Sequence, residues 1–417
     1  MTATRATAAA RRELTPAAAV LTLTLLLGIQ PVTTDLYLPA LPLLAQDLAA
    51  SMSAVQLTLS ALIICFGLAQ LLWGPLADRY GRRPVLLAGL ALYTVAGAGA
   101  ALSPAIGWLI LWRALQGVGM AAAVTCGRSI VRDLYEPHEG ARVMSRALGG
   151  LGMIAMASPL LGGLAVQWFS WHAALGLVTL FGLGALAFIA WRFDETVPVK
   201  DRSATRSRQI ARNWRAIIGH PGFRAWTALL CCTWGGLFVM LAASSFVYIE
   251  VLGTSRLAYG GVLASISMVY VCGTILCRRL LRTRKPRDAV RLGAAFSLGG
   301  GVLIAALSLA GVHTVWALLV PQWIYALGHG IHQPCGQAGA VSAFPSKAGT
   351  AASLSGFAMM LTAFASGIVL GKTMNGTVYP LSLGVAFFGV GVAITAWTLV
   401  RRHGECSEEV LPVAQAA

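Results

Sequence analysis

Two groups of charged residues interrupt a chain that is otherwise almost wholly apolar. Asp35 and Arg113 each lie in or beside a long uncharged run, and the stretch GPLADRYGRRPVLL, residues 74–87, places an aspartate and three arginines between two further runs. A carboxyl group in an apolar segment can bind and release a proton, and a neighbouring arginine alters its proton affinity. Asp35 and Arg113 are therefore the candidate residues for proton coupling.

The composition defines the surroundings in which these residues must work. With 57% hydrophobic and 11% charged residues, the chain lies far from the balance of soluble globular proteins. An uncharged run of about 20 residues crosses a membrane as a helix, because lipid leaves the backbone no other hydrogen-bond partner. The sequence therefore predicts an all-α integral membrane protein with twelve spans. They lie near residues 16–37, 54–74, 84–103, 105–127, 143–166, 172–191, 223–249, 258–277, 289–311, 314–336, 350–371 and 379–400.

The two candidate coupling residues fall at similar depths in these spans. If span one starts near Pro16, Asp35 lies about 28 Å along the helix, at a rise of about 1.5 Å per residue. Span four starts at the outer side of the membrane, and Arg113 lies roughly 12 Å along it. We therefore expect both in the outer part of the first half, close enough to interact. The alternative for Asp35 is a solvated residue at a helix end.

The basic residues are distributed unevenly across the predicted membrane. A net charge of +16 raises nucleic acid as an alternative partner. With twelve spans and the N-terminus inside, however, nearly all lysines and arginines fall on one side, and the opposite side receives only Arg256 and Lys372. Basic loops stay in the cytoplasm. The prediction is a multi-pass protein of the cell inner membrane, with both termini cytoplasmic and no nucleic-acid partner.

The longest polar stretch divides the chain into three parts. Residues 192–222 form a predicted cytoplasmic linker between a six-helix bundle at 1–191 and a second six-helix bundle, with its tail, at 223–417. Apolar residues recur at helical spacing among the arginines of the linker. They are Ile210, Trp214, Ile217 and Ile218. This pattern indicates a short helix on the anionic inner membrane surface, and a flexible linker is the alternative.

Nothing in the sequence favours a cofactor or an enzymatic site. His329, His332 and Cys335 are spaced by three, which places them on one helical face as candidates for a metal or proton role, but packing around Pro334 is the favoured interpretation. The chain has no Walker loop, no strand-borne GxGxxG and no nucleophile elbow. We therefore predict a protein that is not an enzyme and that binds no metal and no cofactor.

The charged stretch at 74–87 has a recognisable pattern. Gly, three residues, Asp, Arg, any residue, Gly, Arg, Arg resembles the loop motif of the major facilitator superfamily. Here it is carried by Gly74, Asp78, Arg79, Gly81, Arg82 and Arg83. The glycines permit a tight turn and close helix approach. A simple topology anchor would require neither the aspartate nor this glycine spacing.

Two further motifs support the resemblance. In span four, LWRALQGVGMAA is similar to the superfamily's Arg, two residues, Gln-Gly motif, carried by Arg113, Gln116, Gly117 and Gly119. In span five, GMIAMASPLLGG resembles the antiporter motif, matched by Pro159, Gly162 and Gly163. Ser158 and Ile154 stand where that pattern has glycine.

Three segments narrow the resemblance to one branch. DLYLPALP, DLYEP and AGTAASLSGF are similar to the bicyclomycin and chloramphenicol resistance (Bcr/CflA) branch of drug:proton antiporters. The resemblance implies two six-helix bundles around a cavity that opens alternately to each side. It also implies a monomeric, proton-coupled exporter of small, mostly lipophilic compounds. The alternatives are proton-coupled uptake or export of a metabolite, and a membrane receptor or scaffold that transports nothing.

The resemblance also assigns a gate. In the superfamily, the loop aspartate helps to hold the two halves together at the cytoplasmic face, partly at a helix N-terminus of the second half. Asp78 is expected to have that role here, with Arg82 near Asp133 as an additional tie.

Overall fold

Twelve long helices dominate the part of the chain that the structure describes. The computed structural model describes residues 16–135, 137–196, 207–344 and 347–404, and the predicted N-terminal segment and C-terminal tail lie outside these ranges. In chain order we number the long helices α1 to α12. They are Pro16–Asp35, Met52–Tyr80, Arg82–Ala101, Ile106–Leu134, Pro137–Trp168, Trp171–Arg192, Pro221–Ser245, Arg256–Leu280, Pro286–Leu309, Val315–Ser342, Ala348–Thr373 and Tyr379–Ile394.

Short helical elements extend or connect the long ones. A 3₁₀ turn at Leu38–Ala40 and a helix at Leu41–Asp47 continue α1. π-helical turns at Phe246–Val251 and Thr395–Val400 prolong α7 and α12, and Arg401–His403 follows the second of them.

Each predicted span corresponds to one of these helices, with one difference in character. Among the described residues, eleven helices are long and apolar enough to cross a membrane, judged by length and composition. The exception is α10, which is 28 residues long but carries glutamines, histidines and two prolines. Polar groups on a helix that is packed inside a bundle do not face lipid, so α10 can span while being less apolar than its neighbours.

Several helices begin and end where their local chemistry requires. The hydroxyls of Ser51, Ser170 and Ser255 accept hydrogen bonds from backbone N–H groups in the first turns of α2, α6 and α8. Between α2 and α3, Gly81 adopts a φ of +109°, which side chains disfavour. We call the end of the bundle at which the turn at Gly81 lies the motif end. The opposite end is the far end.

The helix packing repeats between the two halves of the chain. In the first half α2 packs on α4, α3 on α4, α3 on α6 and α1 on α5. In the second half α8 packs on α10, α9 on α10, α9 on α12 and α7 on α11. Each pair recurs six helices later, as expected for two six-helix bundles related by a pseudo-two-fold axis along the membrane normal.

Two helix pairs join the halves, and glycines bring both pairs close. α2 packs on α11, and α5 packs on α8. A Cβ on Gly67 would lie 2.6 Å from the Met360 Cβ, and a Cβ on Gly260 would lie 2.6 Å from the Pro159 carbonyl oxygen. Helices approach this closely only where small residues replace larger side chains.

These junctions extend from the far end to about the middle of the bundle. Near the far end, Gln56 Nε2 donates to a backbone carbonyl of α7 at 2.6 Å. Farther along α2, a Cβ on Gly356 would lie 3.1 Å from Gln70 Oε1. At the motif end, the Asp78 side chain is 45% exposed and its ion pair is with Arg82 of the same half. The halves therefore close against each other at the far end.

The linker contains the predicted short helix, at Ser207–Gly219. It packs on α7 and α11, and Ile217 is completely buried whereas Ile218 is 49% exposed. Residues 197–206 of the predicted linker lie outside the described ranges. The helical prediction is confirmed, and its seat on the membrane surface remains a prediction.

Candidate functional site

Arg113 is the centre of a buried polar cluster in the first half. Its guanidinium donates from Nη1 to Gln116 Oε1 at 2.8 Å and from Nη2 to the Thr33 carbonyl at 3.0 Å. The guanidinium also lies over the Tyr37 ring, 4.3 Å from its centroid. Gln116 is one helical turn from Arg113, which explains why the two motif residues meet. Arg113 thereby fixes the end of α1.

Hydroxyl pairs complete this cluster. The Tyr93 hydroxyl on α3 lies 2.6 Å from Thr33 Oγ1, and the Tyr37 hydroxyl lies 2.8 Å from Thr58 Oγ1 on α2. Four helices of the first half thus meet around one buried cation. The sequence did not reveal these tyrosine and threonine partners, although Tyr37 lies within the DLYLPALP segment.

Asp35 lies at the same end of the bundle but does not pair with Arg113 in this structure. The Asp35 carboxylate accepts a hydrogen bond from Thr34 Oγ1 at 2.7 Å, and the residue is partly buried. The Thr33 side chain faces this cluster through its contact with the Tyr93 hydroxyl, and two residues along a helix correspond to a rotation of about 200°. The Asp35 side chain therefore faces away from the Arg113 cluster. The two residues lie at the same level of the bundle, their depth in the membrane remains a prediction, and the expected direct interaction is not formed.

The loop motif surrounds an arginine that is almost completely buried. Arg82 Nη2 lies 2.7 Å from Asp78 Oδ1, and Arg82 Nε lies 3.0 Å from Asp133 Oδ2. The expected proximity of Arg82 to Asp133 is therefore observed. Asp78 contacts the same half of the molecule, so its role as a gate between the halves remains a prediction for the other conformation. Arg79 stacks beside Tyr80, 5.3 Å from the ring centroid.

A residue that the motif does not include organises this region. Glu195, which follows α6, accepts from the backbone N–H of Arg82 at 2.8 Å and of Arg83 at 3.3 Å. A carboxylate at these first amides of α3 satisfies unpaired donors and meets the positive end of the helix dipole. A Cβ on Gly81 would collide with that carboxylate. The motif glycine therefore makes room for Glu195. An acid in a strongly basic loop was the available signal in the sequence.

The motif glycines of α4 are packing residues. A Cβ on Gly119 would lie 2.6 Å from the carbonyl oxygen of Gly89 on α3, and one on Gly117 would collide with the Leu62 carbonyl of α2. Gly74 has more room, since its Cβ would be 3.9 Å from the nearest atom, on Thr125. The α4 glycines hold three helices around the Arg113 cluster.

The α5 motif lies at the junction of the halves. A Cβ on Gly163 would lie 2.7 Å from the Arg256 carbonyl oxygen of α8, and the Pro159 carbonyl contacts Gly260 of the same helix. Gly162 faces the backbone of Leu36 instead. These three residues therefore bring α5 against both α8 and the end of α1.

The residues His329, His332 and Cys335 do not share one face. Both histidines face Thr233 of α7, whereas the Cys335 sulfur lies 3.6 Å from that of Cys277 on α8. Six residues along an α-helix turn it through about 600°, which leaves Cys335 about 120° away from His329. Within the described residues, no group of three metal-ligating side chains is present.

Comparisons with known proteins agree with this architecture. Residues 23–368 match the family described as Major Facilitator Superfamily. The chain is 30% identical to the chloramphenicol resistance protein of Pseudomonas aeruginosa, over 76% of this chain and 74% of that protein. It is 28% identical to multidrug resistance protein D of Escherichia coli strain K12, over 81% of this chain and 84% of that protein.

A solved structure shares the fold. An inward open conformation of the xylose transporter XylE from E. coli superimposes with a TM-score of 0.73, at 15% identity, over 93% of this chain and 96% of that one. At that identity the likeness concerns the fold alone.

Proposed function

The chain belongs to the major facilitator superfamily, and on that premise we propose that it exports small, mostly lipophilic compounds from the cytoplasm in exchange for protons. It is a secondary transporter and not an enzyme. Its relatives are named for resistance to chloramphenicol, to multiple drugs and, in a Haemophilus influenzae homologue, to bicyclomycin. Those names supply the candidate substrates.

The observation that carries the proposal is the position of Asp35. This acid ends α1, and the Leu38–Ala40 turn just after it contacts α7 and α8 of the second half. A protonatable group at the junction of two moving bundles changes its surroundings whenever the bundles move. Its protonation therefore biases the equilibrium between the two conformations.

In the proposed cycle the far end faces the outside, as the distribution of basic residues predicts. The conformation described here, closed at the far end, is then the one that faces the cytoplasm. Asp35 releases its proton in this state as substrate binds, and it takes up a proton when the far end opens. Arg113 positions Asp35 by holding the Thr33 carbonyl two residues earlier.

The proposed gate works at the opposite face. Asp78, Arg82 and Asp133 lie together on the first half in the conformation described here. When that end closes, Asp78 is proposed to meet a helix N-terminus of the second half, where a carboxylate is favourable. The Arg82 and Asp133 pair keeps the turn in shape during the change.

The remaining assignments are part of the same proposal. The carrier works as a monomer in the inner membrane with both termini in the cytoplasm, and the linker at 192–222 connects its bundles. The proton gradient is its energy source, with no bound cofactor.

Transport by purified protein tests the proposal. The protein is reconstituted in liposomes, a pH gradient is imposed without ATP, and movement of labelled chloramphenicol and bicyclomycin is measured. Substrate movement that stops when an uncoupler collapses the gradient supports the proposal. Strict dependence on ATP, or movement of both compounds that ignores the gradient, contradicts it.

A further inference from the structure

A hydrogen-bonded chain in the second half contains two buried histidines. The Thr233 hydroxyl on α7 lies 3.0 Å from His329 Nδ1 and 3.4 Å from His332 Nδ1, both on α10. His332 Nε2 lies 3.2 Å from the Val290 carbonyl oxygen on α9. A Cβ on Gly293 would lie 2.8 Å from that His332 nitrogen, so glycine lets α9 approach. Three helices are joined through one chain of polar groups.

The carbonyl at one end sets the direction of every hydrogen bond in the chain. A carbonyl only accepts, so His332 Nε2 carries the hydrogen and, in the neutral ring, His332 Nδ1 is an acceptor. The Thr233 hydroxyl has one hydrogen and donates it to that nitrogen. Its oxygen then accepts from His329 Nδ1, which fixes the tautomer of the neutral His329 ring. The remaining nitrogen, His329 Nε2, is left as an acceptor.

Two aromatic rings lie near the His329 ring. The His329 ring is 5.3 Å from the Tyr270 ring of α8 and 6.1 Å from the Trp234 ring of α7, measured between centroids. No described residue hydrogen-bonds to His329 Nε2, and the buried Trp234 Nε1 has no partner in the same part of the chain. An acceptor and a donor are therefore unused beside two ring faces, in a region where unpaired polar groups are costly.

The cluster faces the interior of the bundle and not the lipid. Between residues 225 and 249, no side chain of α7 or its π-helical extension is exposed, yet Trp234 is partly accessible. On α8 the exposed face is formed by Met268, Cys272 and Ile275, and Tyr270 points to the opposite side. The accessible parts of Trp234 and Tyr270 therefore border space inside the protein.

We propose that His329, Trp234 and Tyr270 form a substrate subsite for a flat aromatic group that carries an N–H or O–H donor. The ring of the ligand packs against the Trp234 and Tyr270 rings, and its donor binds His329 Nε2. Thr233 and His332 are positioning residues that keep this nitrogen an acceptor. This inference rests on the proposed export function and specifies its substrate class.

A pair of fluorescent probes tests the subsite. 7-Amino-4-methylcoumarin has an N–H donor, and 7-dimethylamino-4-methylcoumarin has the same ring system without one. Binding of each is measured by equilibrium dialysis against the purified full chain in nanodiscs, with empty nanodiscs subtracted. The ratio of the two dissociation constants is then compared between wild type and variants, so that differences in lipophilicity cancel.

Three histidine variants give distinct expectations. In His329→Phe the preference for the amino probe falls roughly tenfold relative to wild type, as expected for loss of a hydrogen bond in a dry site. His329→Gln retains most of the preference, because its side-chain oxygen reaches the position of Nε2. His313→Phe is the matched control. His313 also packs against a tyrosine, Tyr379, but lies outside the cluster, and the ratio stays at the wild-type value.

A variant of a positioning residue provides a second test in case His329→Phe does not fold. Thr233→Val keeps the side-chain shape and removes the hydroxyl, so the His329 tautomer is no longer fixed and the preference falls by a smaller factor than in His329→Phe. An unchanged ratio in both His329→Phe and Thr233→Val overturns the inference, as does failure of the wild type to bind the amino probe. Such a result leaves the export proposal standing if proton-driven chloramphenicol movement persists.

Discussion

Gly163 makes the closed far end sensitive to a single methyl group. In the present conformation a Cβ at this position would lie 2.7 Å from the Arg256 carbonyl oxygen across the junction of the halves. Backbone atoms cannot move aside as a flexible side chain can. Gly163→Ala therefore destabilises the conformation closed at the far end, and it does not affect a conformation in which α5 and α8 have separated there.

The size of the effect follows from the cost of overpacking. Inserting a methyl group into a well-packed contact costs about 1–3 kcal/mol. Because the cost falls on one conformation, the equilibrium shifts by roughly 5-fold to 150-fold toward opening at the far end. Gly260→Ala acts on the same junction from the other side, since its Cβ would lie 2.6 Å from the Pro159 carbonyl oxygen. It is expected to shift the equilibrium in the same direction.

Distance measurements between spin labels provide the assay. Leu102 and Val312 follow α3 and α9 at the far end of the two halves and are 80% and 42% exposed, so cysteines there accept labels in a background without native cysteines. Double electron–electron resonance then reports the population with a widened far end. The matched control is Gly176→Ala on α6, where a Cβ would meet nothing within 4 Å. Unchanged distance distributions in folded Gly163→Ala and Gly260→Ala protein would refute the reasoning.

Three other predictions concern the charged residues. Arg113→Ala lowers proton-driven efflux strongly because it releases the end of α1. Arg113→Lys retains part of the efflux rate because an ammonium keeps the charge without the guanidinium fork. Equal efflux rates in vesicles for both variants and wild type would contradict this prediction. Glu195→Ala lowers the stability of the purified protein by about 1 kcal/mol because the α3 cap is lost, and Glu195→Gln lowers it by less. Stability is measured by thermal unfolding, and an unchanged transition in Glu195→Ala argues against the cap. The Asp78→Asn variant inserts into the membrane normally and shifts the carrier toward its inward-open form. This shift is seen as faster labelling of cysteines in the cytoplasmic cavity, and unchanged labelling would contradict the role of Asp78 as a gate.

The sequence predicted the level of Asp35 and Arg113 along their helices, but it did not predict the directions in which the side chains point. Counting residues placed Asp35 and Arg113 at the same end of the bundle, because helix rise is constant. It did not reveal that the side chains of Thr33 and Asp35 lie on opposite sides of α1, or that Arg113 binds the Thr33 carbonyl and not the Asp35 carboxylate. The same limitation applied to Cys335, which lies far around α10 from His329 and packs on α8 instead.

The motifs could not predict contacts between residues that are distant in sequence. Glu195 reaches the first amides of α3 across more than a hundred residues, and only the folded bundle brings them together. The histidine and threonine chain in the second half depends likewise on how α7, α9 and α10 pack. Motifs and composition predicted the family, the twelve helices and the residues of the turn, whereas the partners of those residues required the structure.

The central claim is that Asp35 couples proton movement to export. Substrate efflux is measured in everted vesicles across a range of pH for wild type, Asp35→Asn and Asp35→Glu, with expression matched by immunoblot. The account predicts that Asp35→Asn loses gradient-driven efflux at every pH while remaining inserted, and that Asp35→Glu keeps a reduced, still pH-dependent rate. Full gradient-driven efflux in Asp35→Asn, with the wild-type dependence on pH, would contradict the account and leave Asp35 as a solvated helix end.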